Sequence, residues 1–212
     1  MGGMARPGFT FPRPRQGLLE RLHLDVAVLA GRGAAFASKV SGRGSGSSIR
    51  GKVMLTLDKG ALAKLLQDRR IACVSGTNGK TTTTHLLTAA VRTSVPNASE
   101  VVTNADGANL HHGIASALAM AREAGIAILE TDERVVPTVV RDGAPEVLVL
   151  LNFSRDQLDR HYEINALGRH WREALQAAGD VGPVVVANAC DPLVVWASQP
   201  ARRIIWVDTR DP

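Results

Sequence analysis

The sequence is short of several things, and each shortage removes a class of protein. Its two cysteines, Cys73 and Cys190, lie 117 positions apart with no CxxC pair. That excludes a disulfide framework, gives no support to a four-cysteine zinc ribbon, and matches the usage of a reducing cytosol. No apolar run approaches the roughly 18 residues needed to span a bilayer. The best candidate, Leu18 to Ala30, is broken by Glu20, Arg21, His23 and Asp25, so it is neither a membrane anchor nor a secretory signal. No repeat with a period of 20–50 residues is present, which excludes solenoids and propellers. No Ser/His/Asp or Cys/His pairing stands out, leaving a covalent hydrolase with little support. Finally, no lysine follows Lys80.

What remains is an ordinary globular composition. The 212 residues are 45% apolar and 21% charged, enough for one large domain or two small ones with a substantial core. The net charge of +5 is unevenly placed. Residues 1–52 hold nine Lys and Arg against Glu20 and Asp25, a net of +7, whereas residues 53–212 carry 16 positive and 18 negative charges. The basic quarter scatters its charge among Gly, Pro and Ser, with only Phe9, Phe11 and Phe36 to stack on bases. This fits a solvated arm or a surface facing an anionic partner better than it fits nucleic acid.

Residues 1–17 lack any period and read as a flexible basic leader. A short N-terminal region, 18–60, follows. In it Leu18, Leu22, Val26, Leu29, Phe36 and Val40 recur at helical spacing, with Gly31 and Gly33 expected to interrupt the helix. Ser41–Ser48 is expected to be a Gly/Ser loop, and Lys52–Asp58 alternates as a short strand. Residues 61–212 form the main domain. Buried strands are predicted at Ile71–Val74, Val101–Thr103, Ile126–Leu129, Val147–Leu151, Val184–Ala187 and Ile204–Val207. Helices are predicted near 80–93, 113–124, 133–141, 164–178 and 191–198. This alternation predicts an α/β fold: a three-layer parallel sheet of phosphate-loop (P-loop) type, with the loops after the strands gathered on one ligand-binding edge.

At that edge the first strand runs into Gly76-Thr77-Asn78-Gly79-Lys80-Thr81-Thr82, followed by a helix carrying Leu86, Leu87, Ala90 and Val91. Loop N–H groups and a helix N-terminus form a phosphate cradle, Lys80 supplies the neutralising charge, and Thr81 offers a hydroxyl to Mg²⁺. The loop is shorter than the usual one, with Val74 where a glycine is common. Threonines capping a helix would also explain the hydroxyl run. A lysine there opposes the helix dipole, which a structural role leaves unexplained. The strand Ile126–Leu129 ends in Glu130, a candidate Mg²⁺ ligand. Asp132 is either a second ligand or a helix cap, and Glu133 reads as a favourable first-turn residue of the next helix. Asn104 and Asn109, after the second strand, reach the same edge, although such residues are also common in turns. Asn152, Arg155, Asp156 and Asp159 follow the fourth strand as either a functional loop or an exposed ion-paired turn. Asn188 to Asp191 reads as part of the same edge or as a turn capping the helix that begins at Pro192. His111 and His112 lack ligand spacing and read as surface residues.

Taken together, GTNGKTTTT (76–84), TNADGAN (103–109), LETDE (129–133), LNFSRDQLDRHYE (151–163) and VANACDP (186–192) resemble the central ATPase domain of the Mur ligase family, over roughly Val40 to Pro212. The resemblance implies ATP and Mg²⁺ as cofactors and an acyl-phosphate mechanism. Lys80, Glu130 and Asp156 would be catalytic, and residues 76–82 would bind nucleotide. Thr81 and Glu130 would hold Mg²⁺, while Asn104, Asn109, Asn152 and Arg155 would position phosphate or substrate. Gln157 stands where amino-acid-adding members carry histidine, their carbamoylated lysine has no counterpart, and only 75 residues precede the loop. These departures resemble the MurT-type branch, which amidates the D-glutamate α-carboxyl of the lipid II stem peptide with ammonia from a GatD-type glutaminase. Alternatives are an amino-acid-adding ligase, a folylpolyglutamate synthetase, or a nucleotide-binding scaffold. The resemblance also implies a cytoplasmic protein, peripheral to the inner membrane surface. The family's adenine-contacting HNxxN motif is missing, so the resemblance implies an incomplete adenine pocket, and because the family's central domain continues past the position of Pro212 the chain is expected to be a truncated part of it.

Overall fold

The computed structural model describes residues 17–40, 47–104, 108–153 and 161–208. Its centre is one all-parallel sheet with the strand order β2-β3-β1-β4-β5-β6. The strands are β1 (Arg70–Ser75), β2 (Val101–Thr103), β3 (Ile126–Glu130), β4 (Val147–Leu150), β5 (Val184–Asn188) and β6 (Arg203–Val207). Their connections are α4 (Lys80–Thr93), α5 (His111–Met120), α6 (Val136–Gly143), α7 (His161–Ala178) and α8 (Pro192–Ser198). Every strand predicted from an apolar run is present, within a residue at either end, but β6, expected to be buried, is the edge strand and is exposed at four of its five positions.

The sheet grows in both directions from β1, which lies between β3 and β4. The chain steps from β1 past β3 to β2, then reverses, and all later crossovers run the other way. Right-handed crossovers therefore set α4 over one face and α5 to α8 over the other. The core agrees with that division. Ile71, Cys73, Ala127, Leu129, Leu148, Leu150, Val185 and Ala187, alternate residues of four strands, pack with Ile114, Leu118, Val139, Trp171, Leu175 and Val194 from α5 to α8. Burying each large aliphatic side chain there stabilises the fold by about 1.5–3 kcal/mol. Over the opposite face α4 buries Thr84 and Thr88, whereas Leu86 is 68% exposed. The apolar side of α4 read from its leucines is thus not the side that meets the sheet.

The N-terminal region differs from its sequence reading in two places. Helix α1 runs unbroken over Leu18–Val40. Gly31 sits where α1 meets the following helix, and a Cβ there would lie 2.8 Å from the Arg50 carbonyl oxygen, so this glycine permits close packing instead of ending the helix. Residues 47–57, expected as the end of a loop and a strand, form helix α2 (Ser47–Leu57). The alternation in Lys52–Asp58 is coincidental, because the buried positions are Gly51, Met54 and Asp58, three and four apart. The short α3 (Ala61–Leu66) then buries Leu62, Leu65 and Leu66 before β1 begins.

Candidate functional site

The switch in direction on either side of β1 opens a crevice beyond the carboxyl ends of the strands. There the loop after β1 turns back through two glycines in the left-handed region, Gly76 at φ 141° and Gly79 at φ 84°. Gly76 also has no room for a side chain, since a Cβ would approach Asn152 N and Leu151 Cβ at 2.9 Å. Gly79 precedes α4, whose first residue is Lys80 and whose N-terminal end carries no side-chain cap. The free N–H groups of its first turn consequently face the cleft.

The loop's shape is fixed from the adjacent β4 loop. Asn152 O accepts from Thr77 N at 2.8 Å, Asn152 Oδ1 accepts from Asn78 N at 3.0 Å, and Asn152 Nδ2 donates to Asn78 O at 3.1 Å. Asn152 therefore braces the cradle through both its backbone and its side chain. Lys80 Nζ donates to the carbonyls of Gly76 and Thr77 at 2.5 and 3.1 Å. Glu133 Oε1 stands 3.6 Å from it, and both side chains are 14% exposed. Glu133 was expected in the first turn of α6. That helix starts only at Val136, because Val135 N bonds back to Asp132 O and closes a turn first. The turn leaves Glu133 beside the lysine. Its clue in the sequence was its place three residues beyond the end of β3, a direct neighbour of β1.

Glu130, at the end of β3, is 2% exposed. Thr81 Oγ1 donates to its Oε2 at 2.9 Å and Asn109 Nδ2 to its Oε1 at 3.0 Å. Its carboxylate thus meets two neutral donors and no cation among the described residues. A buried charge so placed is costly unless a positive charge arrives. Asn104 lies deeper, 4% exposed, with its amide bonded to the backbone of Glu130 on both sides and to Ala108 O. Its amide positions Glu130, and Asn104 is not among the residues that line the cleft. Asp132 pairs with Arg134, at 2.8 Å. Burial alone would raise its carboxyl, but hydrogen bonds and charge from Arg134, with the charge of Lys80, hold it below the ordinary range. It does not cap α6.

A cleft of about 360 Å³ is lined by Thr77 to Thr82, Asn109 and Glu130. Glu130 and Thr81 form a small oxygen donor set that fits Mg²⁺, which takes one or two protein oxygens and completes its shell with phosphate and water. No group of three or more His, Cys, Asp or Glu side chains stands together among the described residues. Arg155, Asp156 and Asp159 lie outside the described residues. Asp191, read as a possible turn residue, caps α8 through Oδ1, accepting from Leu193 N and Val194 N, and its Oδ2 accepts from Phe153 N at 2.7 Å. It ties the β5 loop to the β4 loop behind Asn152. His111 is exposed at the start of α5 and lies 3.2 Å from Thr138 Oγ1.

Residues 74–210, which include every loop of this cleft, match the Mur ligase middle domain. The Staphylococcus aureus lipid II isoglutaminyl synthase (glutamine-hydrolyzing) subunit MurT is 34% identical over 172 residues, covering 80% of this chain and 38% of that protein. The UDP-N-acetylmuramate–L-alanine ligase of Saccharopolyspora erythraea is 35% identical over 134 residues, 62% of this chain and 25% of that one. Among solved structures, MurF from Acinetobacter baumannii shares the fold with a TM-score of 0.57 at 16% identity, over 74% of this chain and 34% of its own. The chain thus spans less than two fifths of the length of each of these relatives. With the family's middle domain matched across most of its length and over the whole sheet edge, the chain belongs to the Mur ligase family.

Proposed function

We propose that the chain is the nucleotide-binding part of an ATP-dependent, amide-forming ligase that acts on the D-glutamate α-carboxyl of the lipid II stem peptide. The observation that carries the reading is the buried Glu130 carboxylate, held by Thr81 and Asn109 with no cation paired to it among the described residues, in a cleft that Lys80 at the start of α4 also lines. In the proposed reaction a substrate carboxylate oxygen attacks the γ-phosphorus of ATP, and ADP leaves. Ammonia then attacks the acyl phosphate carbon, inorganic phosphate departs, and a proton is lost to give the amide. Glutamine hydrolysis on a GatD-type partner would supply the ammonia. Backbone N–H groups of residues 79–82 and the Lys80 ammonium would hold the phosphates, and Thr81 with Glu130 would hold Mg²⁺. When bound, the metal ion screens phosphate charge from the incoming carboxylate. Arg155 and Asp156 remain proposed contributors from the β4 loop.

The MurT relative favours amidation over amino-acid addition, as does Gln157. The proposed setting is the cytoplasm, at the membrane face that carries the lipid-linked precursor.

Titration with a fluorescent ATP analogue and Mg²⁺ tests the site. Lys80→Ala is expected to abolish binding, and unchanged affinity would refute the phosphate-loop assignment. Phosphate release by the protein together with a glutaminase, dependent on lipid II and glutamine, supports amidation. Dependence on a free amino acid would assign an amino-acid-adding ligase instead.

A further inference from the structure

Helix α1 has two faces, and only one is used. Leu24, Ala27, Val28, Gly31 and Ala35 are buried, and the helix packs chiefly against α2. The opposite face carries Leu18, Leu22, Val26, Leu29, Phe36 and Val40, each between 52% and 76% exposed. At 100° per residue these six fall within an arc of about 80° centred opposite the packed face, and they extend about 33 Å along the axis. The spacing that reveals the helix in the sequence therefore belongs to its solvent side. An apolar stripe of that length on a water-facing helix marks an interaction surface.

The stripe's border indicates what covers it. Arg21, Arg32 and Lys39 line one edge, all exposed and without an ion pair among the described residues. The acidic residue on that edge, Asp25, is engaged by Arg122. The sequence before the helix adds Arg6, Arg13 and Arg15 and no acidic residue. Two-fold pairing with a second copy in the antiparallel sense would bring the cationic border against itself, with Asp25 already committed. An anionic lipid surface instead complements both features: acyl chains accept the apolar stripe, and headgroups pair with the cations. No helix of the described residues is long and apolar enough to cross a membrane, so the helix would lie in the interface plane. We infer that the outer face of α1 is a peripheral docking surface for an anionic bilayer. The inference stands on this helix alone and does not depend on the ligase reading.

The test is flotation of the purified chain, without nucleotide, on vesicles of phosphatidylcholine alone and of an equal phosphatidylcholine–phosphatidylglycerol mixture. Binding to the mixed vesicles is expected to exceed binding to neutral ones by about tenfold or more. A Leu22→Ser, Leu29→Ser, Phe36→Ser variant should lose that binding by about tenfold. An Arg21→Gln, Arg32→Gln, Lys39→Gln variant should lose the preference for anionic lipid. Circular dichroism melts verify that both variants stay folded, as expected for exposed positions. Mixed-vesicle binding by the Leu/Phe variant equal to that of the parent chain would overturn the proposal. So would a dimer in light scattering that the same variant makes monomeric while the parent ignores vesicles, because a second copy would then cover the face.

Discussion

Asn104 clasps the backbone of Glu130 on both sides: its Oδ1 accepts from Glu130 N at 2.9 Å and its Nδ2 donates to Glu130 O at 2.8 Å. β2 ends one residue before Asn104, so the clasp replaces the ladder bonds that β3 loses at its carboxyl end. Asn104→Ala would leave two buried backbone groups unpaired, at a cost of about 2 kcal/mol or more. Urea denaturation should show that loss, and nucleotide affinity should fall with it, because the Glu130 carboxylate loses its fixed position.

Glu130→Gln separates charge from shape. The amide keeps the volume but brings no negative charge. The apo protein should melt at the same temperature or higher, since an uncompensated buried charge is removed. Mg²⁺ should no longer improve nucleotide binding, as read by thermal shift with and without the metal. A lowered apo melting temperature together with intact Mg²⁺ dependence would remove Glu130 from the metal-binding role.

Gly76→Ala introduces a Cβ at 2.9 Å from Asn152 N, at a backbone angle of 141° that side chains rarely adopt. Relieving the clash means breaking the Asn152 bonds to the loop. The variant should be destabilised by about 2 kcal/mol or more and bind nucleotide poorly. Gly79→Ala, with only Leu151 Cδ1 near its would-be Cβ at 3.5 Å, should cost less in both measurements.

Burial pushes the Cys73 thiol up to about 12 from 9.0, against a smaller opposite pull from a hydrogen bond with Thr131. Because the folded value lies above the unfolded one, the thiol binds its proton more tightly in the folded state. Its contribution to stability is complete below about pH 9 and is lost as pH rises toward about 12. Cys73→Ser should flatten that alkaline decline in chemical denaturation curves. At pH 8, a thiol reagent should label Cys73 only after denaturant is added.

The sheet was readable because its strands are nearly continuous apolar runs, as in Ile126–Leu129, which is buried from Ala127 onward, and Val184–Ala187, where buried and half-buried residues alternate. That Lys80, Thr81, Glu130 and Asn109 line one cleft was legible because each follows or ends a strand at the same edge of a parallel sheet, Glu130 as the last residue of β3. Contacts between loops were not readable. Nothing in the letters around Asn152 tells that its side chain braces Asn78, or that Glu133 stays out of α6 and meets Lys80. Period alone also misled where two periods overlap. Lys52–Asp58 alternates over seven residues, yet its burial follows the helical spacing set by packing against α1 and α5. In α1 the strongest apolar period marks the exposed face, because small residues such as Ala27, Gly31 and Ala35 make the closer contact with α2.

The resting partners of Lys80 bear on which anions the cleft can accept. Its ammonium is already shared between the carbonyls of Gly76 and Thr77 and the nearby Glu133 carboxylate. A singly charged anion that displaces those partners exchanges one set of contacts for an equivalent set, with little net gain. A polyphosphate can engage the ammonium and the N–H groups of the first turn of α4 together, so several attractions offset a single displacement. On the proposed reading the loop would thereby act as a valence threshold, passing over chloride and acetate and responding to ligands whose charges are linked in a row.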